Sequence, residues 1–533
     1  MAINSLLSSE SLDFARRHLT SYYDTDFFPK PLEFACIWYK WDSLKEAIKN
    51  GLHLPVGTPV SIPWKKSRGG YRVVHQMDPI DAICYTAAVR SVAVEIEKAR
   101  QPKASHIACS YRIRPDHAGF FVAGSGFSDY RDRCEELASK FIYVLKTDIS
   151  DFYNQIYIHR LNNAISQSTG TDAGKKVEAF LMRLYPSTNS QGIPVGPAAS
   201  IILSEAALID VDQFISGNGL THVRYVDDIR IFGNSARDLD LFLQDLTHYL
   251  HETHRLGLVG DKTRIMKSAA FMREELINQY QLEKLEILEE IEVVNPYTME
   301  VSDIKYELVE NAGERLLNAL ERSAKFEHLD LGVARAIIRR ARANKLPELA
   351  PYLLNNLERF KPVINDVVLY IEAVFSESTS SVIISPLIDL ARGGDLRDSS
   401  VKEWFAWFIS NHHALLKYQD LRFIVGSTGR LSYAARAAVQ SNNTAWVRTM
   451  KDKLLNLGPW DRRAVIFAAQ LLSGDEKRHW LGALPNRSLS LLEQWMIDWV
   501  LHDTPNVEAL PPPEIPSNEK WSDLGDFADD LPF

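Results

Sequence analysis

"HVRYVDDIRIF", residues 222–232, is the stretch whose reading decides the fold. Val223 and Tyr225 alternate with their neighbours on one side, and Ile229, Ile231 and Phe232 continue a strand-like pattern on the other. Between them stand two adjacent aspartates, Asp227 and Asp228. Asp is a poor strand former, and neighbouring carboxylates repel each other. A sequence that accepts this inside a buried-strand pattern has placed two acids where something other than folding needs them.

Two further segments bear on the pair. In "FIYVLKTDISDFYNQIYIHRL" (141–161) an apolar run, Phe141 to Leu145, leads into Asp148, and Asp151 precedes Phe152 and Tyr153. A strand that delivers a carboxylate at its end presents a metal ligand. In "NSQGIPVGPAASIILSEAAL" (189–208), Gly192, Pro194, Gly196 and Pro197 form a loop feeding a helix that starts near Ala198. Small residues at a helix entrance let a planar or phosphate-bearing ligand approach the backbone. Alone, an Asp-Asp pair reads as a solvated turn and a Gly-Pro loop as a loop. Their order along the chain carries the information.

Composition narrows the class. At 533 residues the chain is too long for one core, and 46% hydrophobic with 24% charged residues is ordinary for a globular protein. No run of about 18 apolar residues predicts a membrane span, and "MAINSLLSSESLDFARRH" lacks the pattern of a secretory signal. Cys36, Cys84, Cys109 and Cys134 are scattered without CxxC spacing, which argues against zinc and against a disulfide framework. A cytoplasmic location is expected. The net charge is -9, with residues 1–150 mildly basic and 151–290 acidic. On charge alone that split says nothing about function.

The order of strand-Asp, Gln-Gly-x-Pro loop and helix, then Tyr-Val-Asp-Asp hairpin (225–228) resembles motifs A, B and C of reverse transcriptases. The resemblance covers roughly residues 30–290. It implies an α+β right-hand polymerase, fingers and palm, that transfers nucleotides with two Mg²⁺ ions, Mn²⁺ being the alternative. Asp148, Asp227 and Asp228 are then the metal ligands and catalytic acids, their mutual repulsion relieved by the metal charge. Tyr153 matches the bulky gate that disfavours a ribose 2′-hydroxyl, so dNTPs are the expected substrates. Gln191 and Gly192 match the loop under the incoming nucleotide. "GLVGDKTRI" (257–265) resembles motif D, whose lysine, here Lys262, sits near the leaving pyrophosphate. "WKKSRGGYRVV" (64–74) resembles the fingers hairpin, making Arg72 and one of Lys65 or Lys66, here Lys65, the triphosphate contacts. Lys146, Arg112 and His159 fall in similar stretches without an assigned role.

Beyond the palm there is no ribonuclease H signature and no clear thumb. Residues from about 300 to 503 read as consecutive amphipathic helices, among them "GERLLNALERSAKF" (313–326), "GVARAIIRRARA" (332–343), "PELAPYLLNNLERF" (347–360), "VKEWFAWFISNHHALL" (401–416) and "WDRRAVIFAAQLL" (460–472). They predict an α-helical, HEAT-like repeat domain without a strict period. Trp404, Phe405, Trp407 and Phe408 read as packing rather than a cofactor site. The expected domains are 1–295, 296–504 and a Pro-rich, acidic tail, 505–533.

A palm followed by helical repeats resembles the bacterial abortive-infection and other defence-associated reverse transcriptases. That resemblance implies antiphage defence. It leaves three modes open: template-independent synthesis primed by a tyrosine hydroxyl (Tyr22 and Tyr23 are the candidates), copying of a companion non-coding RNA, or a polymerase-like sensor. Single-stranded DNA is the expected product and self-association of the helical domain is expected. The closing "DFADDLPF" (526–533) resembles the acidic tip of bacterial single-stranded DNA-binding protein, which implies that Phe533 docks on that protein's partners.

Overall fold

The computed structural model describes residues 3–21, 27–51, 56–115, 119–122, 126–185, 190–292, 311–485 and 488–502. Among them the strands are β1 (Val60–Lys65), β2 (Tyr71–Gln76), β3 (Tyr143–Asp148), β4 (Thr221–Tyr225), β5 (Asp228–Gly233) and β6 (Arg264–Lys267). The double-aspartate stretch folds as the β4–β5 hairpin, in register from Thr221 opposite Phe232 to Tyr225 opposite Asp228. It joins an antiparallel sheet of order β4-β5-β3-β6, which puts β3 in the interior. Adjacent strand residues point to opposite faces. Val144 and Leu145 are both fully buried, so the sheet is covered on both sides.

β1 and β2 form a separate antiparallel hairpin. Its tip passes through Gly69 and Gly70, whose φ of +92° and +74° is the left-handed region that side chains resist. The hairpin docks on the loop before the helix Ala198–Ala207. His75 donates its N–H to the Val195 carbonyl (3.0 Å), and the Val195 N–H returns to His75 Nδ1 (3.1 Å). Behind them runs the buried helix Pro79–Ala99, capped by Asp78, whose carboxylate accepts from the Ile80 N–H. It packs on Ala198–Ala207 and on Ser9–Ser21.

The expected run of helices is present over residues 311–502. Helices Leu331–Ala343, Ile364–Val374, Ser399–Asn411, Leu431–Gln440, Pro459–Ala468 and Leu491–Leu501 each pack on the next. A second row, Leu349–Asn355, Ser380–Gly393 and Gln419–Ser427, stacks beside them, giving the two-row order of an α-solenoid. "PELAPYLLNNLERF" is not one helix: Asn356, at φ −116° and ψ +28°, separates Leu349–Asn355 from Leu357–Phe360. Helix Gln279–Glu292, on the palm side of the expected 295/296 boundary, already packs against the first repeat helices. The boundary itself and the 505–533 tail lie outside the described residues.

The first row does not stand apart from the palm. It is laid along the fingers. Trp404 Nε1 donates to the Phe27 carbonyl and Trp64 Nε1 to the Pro362 carbonyl, both at 3.0 Å and both buried. Arg463 pairs with Glu33 (2.9 Å) and Asp78 (2.7 Å), and Arg430 reaches Gln76 (2.9 Å). Trp404, Phe405 and Phe408 are almost wholly buried, so the aromatic stripe is packing. The four cysteines are buried free thiols. Among the described residues no helix is long and apolar enough to cross a membrane.

Candidate functional site

Three aspartates stand where β3 and the β4–β5 turn end. Asp148 is the last residue of β3 and lies directly opposite Asp228, the first of β5. Only Val226 and Asp227 form the turn, so Asp227 sits at its tip. The Ile149 N–H donates to the Asp227 carbonyl (3.2 Å), which ties the turn to the strand carrying Asp148.

Val226 makes this turn at φ +51°. A β-branched residue there is strained, at a cost of roughly 1–3 kcal/mol. The structure holds it from beneath. Ser110 Oγ accepts from the Val226 N–H (3.0 Å), and Arg224 Nη1 donates to the Val226 carbonyl (2.9 Å). Arg224 is wholly buried and paired with Asp212 (2.6 Å) and Glu205 (3.1 Å), and Glu205 also pairs with Arg100 (2.8 Å). Burial pushes Asp212 and Glu205 up, but the arginines more than offset it, so both stay ionised below their usual range. None of these buried residues stood out in the sequence, because an ion-pair network leaves no local pattern.

The carboxylates above this base repel one another. Burial, then the charges of Asp148 and Asp228, push the Asp227 carboxyl up to about 7. Burial also raises Asp148, against the opposing effect of Lys262, whose Nζ donates to Asp148 Oδ2 at 2.7 Å. Lys262 reaches this point because its 3₁₀ turn, Gly260–Lys262, follows a segment bonded along β3's end, with the Val259 N–H on the Asp148 carbonyl (2.9 Å). Asp228 faces Arg230 and accepts from the Tyr130 hydroxyl (3.3 Å). Among the described residues no group of three His, Cys, Asp or Glu side chains is gathered as a metal cluster. Asp148 is turned instead toward Lys262 and Asp228 toward Arg230. Their all-oxygen donor set and the repulsion at Asp227 still suit a hard divalent cation.

Tyr153 lies on the short helix Phe152–Gln155 after Asp148, close enough to feel the charge of Asp227. Its ring is buried and its hydroxyl bonds Ser204 Oγ at 3.0 Å. The loop of Gln191 and Gly192 folds on the same helix: Gly192 N–H meets the Ile156 carbonyl (2.9 Å) and Ile193 N–H the Tyr153 carbonyl (3.0 Å). Gly192 has φ +90°, and a Cβ there would stand 3.2 Å from the Asn154 carbonyl oxygen. Gln191 pairs with Tyr157 as an isolated bridge.

The fingers hairpin divides its lysines. Lys65 does not join the acids: it lies 3.9 Å from Glu358 of the helical region and over the Tyr71 ring. Lys66, one residue on, sits among Arg72, Lys262, Asp151 and Asp148, which all act on its charge. Lys66 follows the last residue of β1, and it is Lys66 rather than Lys65 that is brought toward the acids. Arg72 is held in the cleft, where burial, then the nearby Arg335, pull it down to about 10. Arg335 comes from the helix Leu331–Ala343, 3.2 Å from Asp366, and no sequence motif marked it.

Against known families, residues 64–288 match the one described as "Reverse transcriptase (RNA-dependent DNA polymerase)". These residues form a reverse transcriptase domain. The chain is therefore an RNA-directed DNA polymerase, a nucleotidyltransferase. The matched segment opens at Trp64 on the fingers hairpin, later than the 30–290 span of the sequence resemblance, and contains every site residue above except Arg335. No curated protein matches the chain. Among solved structures it is similar to telomerase from Candida albicans in complex with the TWJ fragment of telomeric RNA, at 11% identity over 73% of this chain and 70% of that one, with a TM-score of 0.30. Apo telomerase from Candida tropicalis gives 12% identity over 73% and 70%, with a TM-score of 0.33. At that level the likeness carries no argument about the reverse transcriptase domain's partners.

One pH effect follows from the hairpin's anchor. His75 is buried, with Nδ1 accepting from Val195, and burial pulls its pKa down to about 4. The unfolded chain takes up this proton below about 6.5 and the folded chain only below about 4. Stability is therefore lost as pH falls through that window, by roughly 3 kcal/mol at most. Melting temperature should drop from pH 6.5 to 4 in the wild type, and less steeply in His75→Asn, whose side-chain oxygen still accepts from Val195. Equal slopes would show that another group controls the transition.

Proposed function

We propose that this reverse transcriptase polymerises dNTPs into single-stranded DNA in antiphage defence, primed by a tyrosine hydroxyl of the chain itself and without a conventional template. The observation that carries the polymerase part is the register of Asp148 against Asp228 with Asp227 at the turn, inside a reverse transcriptase domain. When bound, Mg²⁺ would activate the attacking oxygen and neutralise the leaving pyrophosphate. Asp148 and Asp227 are the residues that would hold it. Arg72 and Lys66 bind the triphosphate, Lys262 donates a proton toward pyrophosphate, and Tyr153 with the Gln191–Gly192 loop shapes the nucleotide's bed.

The defence reading is supported by the palm followed by helical repeats, as in the abortive-infection enzymes. Tyr22 and Tyr23, the primer candidates, lie outside the described residues. A second mode, copying a companion RNA, is favoured by the family match to RNA-dependent polymerases. Radiolabelled dNTP incubated with purified protein and Mg²⁺ tests the polymerase, and sequencing of copurifying DNA, with a check for covalent attachment, separates the modes. Tyrosine-linked DNA of no genomic or RNA sequence supports self-priming. DNA complementary to one bound RNA supports the second mode, and no incorporation under either condition overturns both.

The tail is read as a docking peptide. Phe533 offers a ring for an apolar pocket, with Asp526, Asp529 and Asp530 raising association rate and salt sensitivity. With so few contacts the affinity should be on the order of micromolar. Deleting Phe533 should remove partners of single-stranded DNA-binding protein from a bacterial pull-down while leaving dNTP incorporation intact. Identical recovery by wild type and deletion would leave only an acidic tail.

A further inference from the structure

The Tyr-Val-Asp-Asp box is followed two residues later by an arginine that faces the second aspartate. Arg230 is buried, and its two Nη atoms address the two carboxylate oxygens of Asp228, Nη1 on Oδ1 and Nη2 on Oδ2 at 2.8 Å. The Tyr130 hydroxyl adds a third donor to Oδ2 (3.3 Å). Residues two apart on a strand share a face, so this fork is built into β5 rather than reached by a long detour.

Arg230 also belongs to a row of cations. It lies opposite Lys146 on β3, which lies opposite Arg264 on β6. Like charges directly across a sheet are destabilising. Two acids from either end relieve the row. Glu275 accepts from Lys146 (2.5 Å) and Arg264 (2.9 Å) and stands 3.7 Å from Arg230, while Asp228 takes the remaining face of Arg230. Glu274 comes within 3.8 Å of the half-exposed Arg264. Asp228 is thus fitted into the basic ladder, whereas Asp148 and Asp227 face no such fork.

We propose that Arg230 is a positioning residue that reserves Asp228 for this ladder, so that Asp148 and Asp227 alone supply the carboxylates for divalent metal. The inference rests on the polymerase reading above and narrows it: the second Asp of the box anchors the turn, and a fixed positive charge beside the site weakens cation binding. That would keep the enzyme dependent on the metal that arrives with the nucleotide's phosphates.

Direct Mn²⁺ binding to the full-length protein, followed by electron paramagnetic resonance of the free ion, tests this without relying on turnover. Asp227→Asn should weaken binding about tenfold or more, and Asp228→Asn should stay within about twofold of wild type. Arg230→Gln removes a unit charge a few ångströms from the site and frees Asp228, so binding should tighten about tenfold. Arg230→Lys keeps the charge but loses the fork and should fall between. Because Arg230→Gln leaves Asp228 without its cationic partner, its melting temperature is read alongside, and the double variant Arg230→Gln/Asp228→Asn restores neutrality. In that double variant the tightening should vanish while the fold is kept. Equal loss in Asp227→Asn and Asp228→Asn, or no change in Arg230→Gln, overturns the inference and leaves the polymerase reading intact. Wild type that binds no Mn²⁺ and incorporates no dNTP overturns both.

Discussion

Asp227→Asn should lower dNTP incorporation by on the order of a thousandfold or more while leaving the protein at least as stable as wild type. Under the proposed mechanism Asp227 would be one of the carboxylates holding divalent metal, so removing it would leave the in-line displacement without charge neutralisation, and single ligands of this kind carry several kcal/mol of barrier. The structural consequence has the opposite sign. Asp227 sits at a turn tip with Asp148 and Asp228 beside it, and burial, then the repulsion of those two charges, has already raised its carboxyl to about 7. Asparagine keeps the shape and removes the charge, so the metal-free protein should melt no lower, and on the order of 1 kcal/mol more stably at neutral pH. Single-turnover incorporation and a thermal melt in chelator check the two halves. Activity retained within tenfold would remove Asp227 from the chemistry. A lost fold would instead mean that the turn depends on this side chain, against the main-chain and Arg224 contacts that hold it. Protection against phage should be lost with activity, since the defence reading makes DNA synthesis its agent.

Much of this site was legible because it is local in sequence. Alternation, two acids and a Gly-Pro loop each sit within about ten residues, so β3, the β4–β5 hairpin and the helix from Ala198 appeared where the pattern put them. The β1–β2 hairpin stands where the resemblance of "WKKSRGGYRVV" to the fingers hairpin put it. What escaped was long-range. Arg224, Glu205, Asp212 and Arg100 are drawn together from residues 100–224 into one buried network. Arg335 enters the cleft's surroundings from the helical region, and only the docking of the solenoid on the fingers brings it there. Lys65 was a choice between adjacent lysines that strand alternation could not settle without knowing which face the acids occupied. Arg230 was in plain view two residues after Asp228, but its meaning depends on Lys146 and Arg264 across the sheet.

The solenoid is tied to the fingers by buried contacts. Two buried tryptophan N–H bonds and the Arg463 pairs tie the first row to the fingers, where a free helical domain would show a solvated face. Truncated buried aromatics typically cost about 3–5 kcal/mol. The fingers and the helical row therefore share one core and should unfold together.

Tyr153→Ala should relax sugar selection, raising use of ribonucleotides relative to deoxynucleotides at least tenfold and on the order of a hundredfold. The ring is fixed from three sides. Its backbone carbonyl holds the Ile193 N–H of the Gln191–Gly192 loop, its edge meets Phe152 at 5.7 Å, and its hydroxyl is tied to Ser204. A ring that cannot swing away excludes an extra hydroxyl by volume, and no hydrogen bond compensates for the clash. Alanine opens that space without touching Asp148 or the turn. Tyr153→Phe separates the two contributions: it keeps the ring, loses only the Ser204 bond, and should preserve sugar preference with a stability cost of about 1 kcal/mol. The alanine variant pays for a buried cavity with a melting temperature several degrees lower, so selectivity is read as a ratio on one preparation rather than as absolute rates. An unchanged ratio in Tyr153→Ala, with dNTP incorporation preserved, would place the gate on another residue of the cleft, and a relaxed ratio in Tyr153→Phe would mean that the hydroxyl, not the ring, does the excluding.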